Sequence, residues 1–357
     1  MKYNWSSLNV LVTGGASFIG SHLVDRLAKL GSNVVIADNF SSGKWENLQY
    51  EFIKKGKNEY TNKEENIKVL VGDLKDIRFT RKALKDIDVV FHLASVHGGR
   101  GYIATHPADC CTAMTIDQLV FEEANKLGVE RICYASSACV YPVVLQEDPS
   151  KDYKLKEEDA DPFVYGKANA DLEYGWSKLM GEMALRAYHR QYGLKTSSAR
   201  IFTAYGPREN ETHSVIALIA KAFIKLDPYP IWGDGNQRRN YTYIDDIIDA
   251  LILICEKIED GTPINVGRED SISINELAEL IFKITNWRPS KIFYDMSKPV
   301  GVKARSADLT RARKLLNWEP RIDYEEGVRR TVKWYFENKN PEEVKNKLEI
   351  ILLERSS

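Results

Sequence analysis

Short apolar runs alternate with amphipathic stretches through the first half of the chain. Asn9–Thr13, Asn33–Asp38, Ile67–Val71 and the runs 89–94 and 131–136 are rich in β-branched residues and too short for helices, so they predict strands. Between them, 20–30, 79–85 and 108–127 carry helical patterns. Strand–helix–strand alternation at this spacing predicts an α/β protein with a doubly wound parallel sheet, covered on both faces. The stretch 174–192 predicts a further helix and 196–202 a further strand. Two polar stretches interrupt the pattern. Residues 44–65 read as a surface excursion, partly helical, and 142–171 as a long loop of the kind that often carries function. Beyond about Gly206, turn signals such as Gly233-Asp234-Gly235 and Asp227-Pro228 break the alternation. This predicts a sheet domain over 1–205 to which some later segments return, a smaller interleaved lobe over 206–335, and a charged helical tail over 336–357. No internal repeat is present.

Composition narrows the setting. The chain has 357 residues, is 43% hydrophobic and 28% charged, and carries a formal net charge of -1. Those fractions are ordinary for a globular protein, and no global field draws it to nucleic acid or an anionic membrane. The apolar run near 247–255 is short and contains acids, well below the ~18 residues a bilayer span needs. The polar start of the chain leads into a strand, so no signal peptide is expected. The five cysteines are odd in number and form neither a CxxC pair nor a zinc-spaced cluster with histidine. A reduced, cytoplasmic compartment and no metal are the expectation.

Chemistry enters at the first strand end. Gly14-Gly15-Ala16-Ser17-Phe18-Ile19-Gly20 joins a strand to a helix, the turn whose backbone N–H groups and helix dipole receive a pyrophosphate. Asp38 ends the second strand about 20 residues on, where a carboxylate accepts both ribose hydroxyls and repels a 2′-phosphate. Asp73-Leu74, after the third strand, suits the adenine amine. NAD is therefore favoured over NADP. Asn39, Leu93 and Ala94 fall at strand ends facing the same place. Ser17 stands where the usual GxxGxxG pattern has glycine.

Tyr174 and Lys178 are four residues apart, so a helix puts both on one face. An ammonium beside a phenol is expected to lower the phenol pKa and let it take a proton from a sugar hydroxyl. The pair follows a serine-rich strand end, Ser136-Ser137-Ala138-Cys139-Val140-Tyr141-Pro142. With these motifs, and with Phe91-His-Leu-Ala94, Tyr205-Gly-Pro207, Asn265-Val-Gly267 and Leu316-Asn-Trp-Glu-Pro320, the chain resembles an extended short-chain dehydrogenase/reductase of the NDP-sugar epimerase/dehydratase family over roughly residues 8–335. The resemblance implies a Rossmann domain, NAD as cofactor, a nucleotide-diphosphate sugar as substrate and a homodimer through the helices near 108–127 and 174–192. It implies that Ser137, Tyr174 and Lys178 serve hydride transfer at the sugar C4, with Tyr174 and Lys178 also touching the cofactor, and that Arg239 and Arg305 grip the diphosphate. Thr203 stands where the family often has an asparagine.

The residues after Ser137 bear on the reaction. The family's 4,6-dehydratases carry an Asp-Glu pair there; Ala138-Cys139 lacks both carboxylates. Cysteine at the second position, together with the loop Gly98-Gly99-Arg100-Gly101-Tyr102-Ile103, resembles the GDP-mannose 3,5-epimerases. A C4 ketone acidifies the C3 and C5 protons; a thiolate at Cys139 takes one, and an acid on the opposite ring face returns it. His213 falls where that pattern has a lysine. His97, Gly98, Gly99 and Arg100 are expected against the sugar. A UDP-sugar 4-epimerase with Cys139 as bystander, an atypical dehydratase using Cys139 as base, and a non-catalytic NAD-binding sensor remain alternatives.

Overall fold

In the computed structural model, residues 4–352 are described; the last five residues of the expected tail lie outside them. Nine strands form the main sheet: β1 (Asn9–Thr13), β2 (Asn33–Asp38), β3 (Phe52–Gly56), β4 (Glu59–Asn62), β5 (Ile67–Val71), β6 (Val89–His92), β7 (Arg131–Ser137), β8 (Lys195–Ile201) and β9 (Asp260–Val266). Their order is β9-β8-β7-β6-β1-β2-β5-β4-β3. Seven run parallel, and chain order reverses between β1 and β6. That reversal opens a crevice beyond the carboxyl ends of both strands.

Alternation along β1 shows why the sheet is covered twice. Val10 and Val12 pack with Leu23, Val24 and Leu27 of α1 (Phe18–Lys29) on one face. Leu11 joins Val120, Phe121 and Leu185 on the other. The second face is made by α2 (Ile77–Ala83), α4 (Pro107–Lys126) and α5 (Leu172–Tyr192), with the short α3 (Arg100–Thr105) ahead of α4. The interior is not purely apolar. Arg200 of β8 holds Glu182 of α5 through Nη2 at 2.7 Å and Nε at 3.0 Å, both side chains buried. Removing one partner of such a buried pair costs about 3–5 kcal/mol.

The polar stretch 44–65 corrects the sequence reading in part. Trp45–Asn47 is one helical turn, but β3 and β4 form a hairpin that adds an antiparallel edge to the sheet. Asn58 takes the left-handed conformation at its tip (φ 62°), and Trp45 packs on Phe40, Phe52 and Tyr60. Charged side chains suit an exposed edge strand, and they masked its alternation.

The remaining helices are α6 (Ser214–Phe223), α7 (Ile244–Lys257), α8 (Ile274–Thr285), α9 (Thr310–Leu316), α10 (Tyr324–Asn338) and α11 (Pro341–Ile351). Between them, Arg238–Arg239 pairs with Ala304–Ala307 and Ile272–Ser273, and Tyr229–Trp232 with Ile292–Asp295. Strand β9 returns to the main sheet beside β8. Among the described residues, no helix is long and apolar enough to cross a membrane.

Candidate active site

One cavity of about 760 Å³ opens at the sheet's switch point. Every residue expected at the cofactor, the substrate or the chemistry lines it.

At the cofactor end the backbone does most of the shaping. Gly14 follows β1 with φ +70°, and a Cβ there would lie 3.1 Å from the Ala94 backbone. A Cβ on Gly20 would lie 2.2 Å from the Gly14 carbonyl oxygen, so the helix can sit on the turn only with glycine. Ser17 is the N-cap of α1, yet its side chain does not cap; Oγ lies 3.5 Å from Ser42 Oγ. The first N–H groups of the helix are thus left for an anion. Asp38 ends β2 and accepts the N–H groups of Ala16 (2.9 Å) and Phe40 (2.8 Å), bracing the turn. Asp73 accepts the Lys75 N–H at 2.9 Å. A glycine cradle facing a strand-end carboxylate fits NAD, with Phe18, Ile19, Asn39, Leu74 and Leu93 on the surrounding walls.

Ser137 ends β7. Its hydroxyl oxygen accepts the Cys139 N–H at 3.2 Å, and its side chain hydrogen-bonds the Tyr174 phenol. Lys178 is buried, donates to the Ala135 carbonyl at 2.8 Å and stands 5.9 Å from the Tyr174 ring centre. The expected lowering of the phenol pKa is not what this arrangement gives. Burial pushes the Tyr174 phenol well up and the nearby Cys139 adds to it; the Ser137 hydrogen bond opposes them. The ammonium is itself desolvated and pushed down.

Cys139 is held from behind. Its carbonyl accepts the Asp171 N–H at 2.8 Å, and a Cβ on Gly175 of α5 would lie 2.2 Å from that same oxygen. In front, Arg305 Nη1 lies 3.7 Å from Cys139 Sγ, while Arg305 Nε donates to Gln146 at 2.6 Å. Asp171 takes Arg100 Nη1 on both oxygens at 3.0 Å and lies 3.6 Å from Arg305 Nη2. Arg239 donates to the carbonyls of Arg238 (2.8 Å) and Val300 (3.0 Å). Burial, then Arg305, push its guanidinium down to about 10. Two guanidinium groups, Arg100 and Arg305, share the Asp171 carboxylate, and Arg239 meets carbonyls, so positive charge is in excess and this end of the cavity is built for an anion. Thr203 lines the wall nearby.

The glycine loop brings in the last candidates. Gly99 donates its N–H to Thr212 Oγ1 at 3.2 Å, and a Cβ on Gly99 would lie 1.8 Å from the Thr212 carbonyl oxygen. That close approach carries His213 to the cavity. The His97 ring stands 6.1 Å from Tyr174 and 6.4 Å from His213. His213 Nδ1 is 3.6 Å from Glu209 Oε1, and burial, then Glu211, push the Glu209 carboxyl well up.

Sequence reasoning missed Asp171, Glu209, Lys221 and the tail. Lys221 of α6 is 3% exposed, lines the cavity and donates to the Pro230 carbonyl at 2.9 Å; burial pushes its ammonium down to about 8. Glu211 accepts from Tyr335 at 2.8 Å and lies 3.5 Å from Lys339 Nζ, so α10 and the residues after it reach the cavity wall. The only sequence signal for Asp171 was its place just before a helix. Among the described residues, no group of three or more His, Cys, Asp or Glu side chains could hold a metal ion.

Comparison with known proteins agrees with this geometry. Residues 10–267 match the model of the NAD dependent epimerase/dehydratase family. GDP-mannose 3,5-epimerase 1 of Oryza sativa subsp. indica is 31% identical over 92% of this chain and 82% of its own length. UDP-glucuronate 4-epimerase of Thermodesulfobacterium geofontis is 30% identical over 92% of this chain and 96% of its own. The crystal structure of Thermotoga maritima UDP-glucose 4-epimerase with UDP-glucose superposes with a TM-score of 0.78 at 28% identity, covering 92% of this chain and 99% of that one.

Proposed function

Because the chain belongs to the NAD-dependent epimerase/dehydratase family, we propose that it epimerises a nucleotide-diphosphate hexose at C3 or C5, by transient oxidation at C4 with Cys139 as the acid/base. The observation that carries this is the setting of Cys139. Its sulfur meets a guanidinium at 3.7 Å in the cavity that also holds Ser137 and Tyr174, and neither position directly after Ser137 carries a carboxylate.

Bound NAD supplies the hydride acceptor. Tyr174, hydrogen-bonded to Ser137, would take the C4 hydroxyl proton as a tyrosinate, once the positive charge of Lys178, together with that of the cationic cofactor, offsets the burial that holds the phenol protonated. Arg239 and Arg305 hold the diphosphate, with Arg100 and Thr203 alongside. The thiolate of Cys139, facing Arg305, removes a proton next to the C4 ketone. His213, with the Glu209 carboxyl at its Nδ1, delivers a proton to the opposite face, and His97 and the glycines after it border the ring. The likeness to GDP-mannose 3,5-epimerases makes GDP-mannose the first substrate to try. Trp176 and Met180, exposed one turn apart on α5, support a homodimer across α4 and α5.

The test is incubation with GDP-mannose and with UDP-hexoses in D₂O, read by NMR. Deuterium at C3 or C5 is expected, and Cys139→Ala should stop its uptake while NAD reduction continues. Inversion at C4 with no deuterium incorporated would overturn the reading in favour of a 4-epimerase.

A further inference from the structure

Behind Lys178 lies a buried polar chain with a fixed direction. Thr13 Oγ1, at the tip of β1, accepts the N–H groups of Leu93 (3.0 Å) and Ala94 (3.1 Å). Both its lone pairs are then in use, so its own proton points to His92 Nδ1 at 2.8 Å. Nδ1 is therefore an acceptor. The ring proton sits on Nε2 and is donated to Asp117 Oδ1 of α4 at 2.9 Å. Tyr134 of β7 donates to the other oxygen, Oδ2, at 2.6 Å. His92, Asp117 and Tyr134 are all 0–1% exposed. Space for the phenol is made by Gly181 of α5, where a Cβ would lie 2.6 Å from the Tyr134 hydroxyl.

Lys178 Nζ lies 4.7 Å from the centre of the Tyr134 ring. The charged and titratable groups around it, directly or through one partner, come from three strands and two helices. They are His92 of β6, Tyr134 of β7, Arg200 of β8, Tyr174 and Glu182 of α5, and Asp117. Glu182 is already taken by Arg200 and by the Ser136 hydroxyl. Asp117 receives only neutral donors, an imidazole N–H and a phenol. The ammonium and the Asp117 carboxylate are thus the two buried charges left to balance one another, and an unbalanced one would be costly to bury.

We propose that Asp117 is the counter-charge that keeps Lys178 protonated, a positioning residue for hydride transfer held by the chain that starts at the cofactor-lining backbone of Leu93 and Ala94. This rests on the reading of Lys178 as part of the hydride-transfer machinery. The direction of its titration agrees: burial pushes the ammonium down, and Asp117, then Glu182, push it back up. The sequence hides this role, because Asp117 sits mid-helix, far along the chain from Thr13 and Lys178.

The test titrates Lys178 in the NAD-bound enzyme carrying ¹³C-labelled lysine, its signal assigned by its loss in Lys178→Met. In Asp117→Asn the midpoint should fall tenfold or more in proton affinity, and the alkaline limb of NAD reduction should move down with it. An unmoved midpoint overturns the proposal. The wild-type enzyme gives a second check that needs no variant: ¹⁵N spectra should show His92 with one proton, on Nε2, from neutral to mildly alkaline pH. A doubly protonated His92 would make that ring the counter-ion of Asp117 and overturn the proposal. If the midpoint moves while Lys178→Met turns over normally, the counter-charge assignment stands and the proposed function of Lys178 falls.

Discussion

The two ends of the cavity are built from different materials. At the cofactor end, Gly14 and Gly20 let backbone approach backbone, and the Asp38 carboxylate is spent bracing N–H groups of the turn. At the end we assign to the sugar, side chains carry the site: Arg100, Arg239, Arg305, Asp171, Cys139 and His213 arrive from separate stretches of chain. A backbone cradle tolerates change in what it touches but not in its own path. A side-chain site keeps its backbone and loses its chemistry one residue at a time.

Substitutions can break or sharpen that contrast. Tyr174→Phe should have the largest effect, cutting turnover about 10³-fold with the fold intact, since a positioned acid/base typically supplies ~10²–10⁴; single-turnover NAD reduction measures it. Turnover within tenfold of wild type would mean that side chains do not carry this end. Gly20→Val is the counterpart at the cofactor end. With its Cβ only 2.2 Å from a carbonyl oxygen, the helix must move. NAD affinity should drop tenfold or more, and overpacking of this kind costs about 1–3 kcal/mol; calorimetric NAD binding and a thermal melt report both.

Lys221→Met is expected to stabilise the ligand-free protein. The buried ammonium, pushed from 10.5 to about 8, burdens the folded state. At 1.36 kcal/mol per pKa unit the upper bound is about 3 kcal/mol. The sign follows from proton binding. Between pH 8 and 10.5 the unfolded chain holds the proton that the folded chain has released, so stability rises with pH there. The variant's gain should be full below pH 8 and fade as pH climbs toward 10.5; denaturant melts at pH 7 and pH 10 would show it. A loss of stability at pH 7 would mean that the Pro230 hydrogen bond outweighs burial. Ser17→Gly should do least, changing NAD affinity by less than about threefold, because the serine side chain neither caps α1 nor makes a strong contact. A larger change in an NAD titration would show that the cradle depends on that side chain after all.

What could be read from the sequence divides along the same line. The strand–turn–helix at Gly14 to Gly20, the strand-end Asp38 and the Tyr174/Lys178 spacing are local patterns, and local patterns survive folding. The hairpin of β3 and β4 was hidden because an edge strand needs little apolar alternation. Lys178 does share a helix face with Tyr174 and lines the cavity, but the expected lowering of the phenol pKa does not follow from it. Spacing gives a shared face; burial decides the charge, and burial belongs to the whole molecule.

By itself the sequence determined the α/β alternation, the family, the NAD cofactor and a set of residues that meet in one cavity. Only the tertiary structure decided which of them touch. Arg305 reaches Cys139, and Asp117 faces Lys178 across Tyr134, over long separations in sequence. Charge pairing and desolvation act through space, over a few ångströms, and no periodicity along the chain encodes distances between segments so far apart.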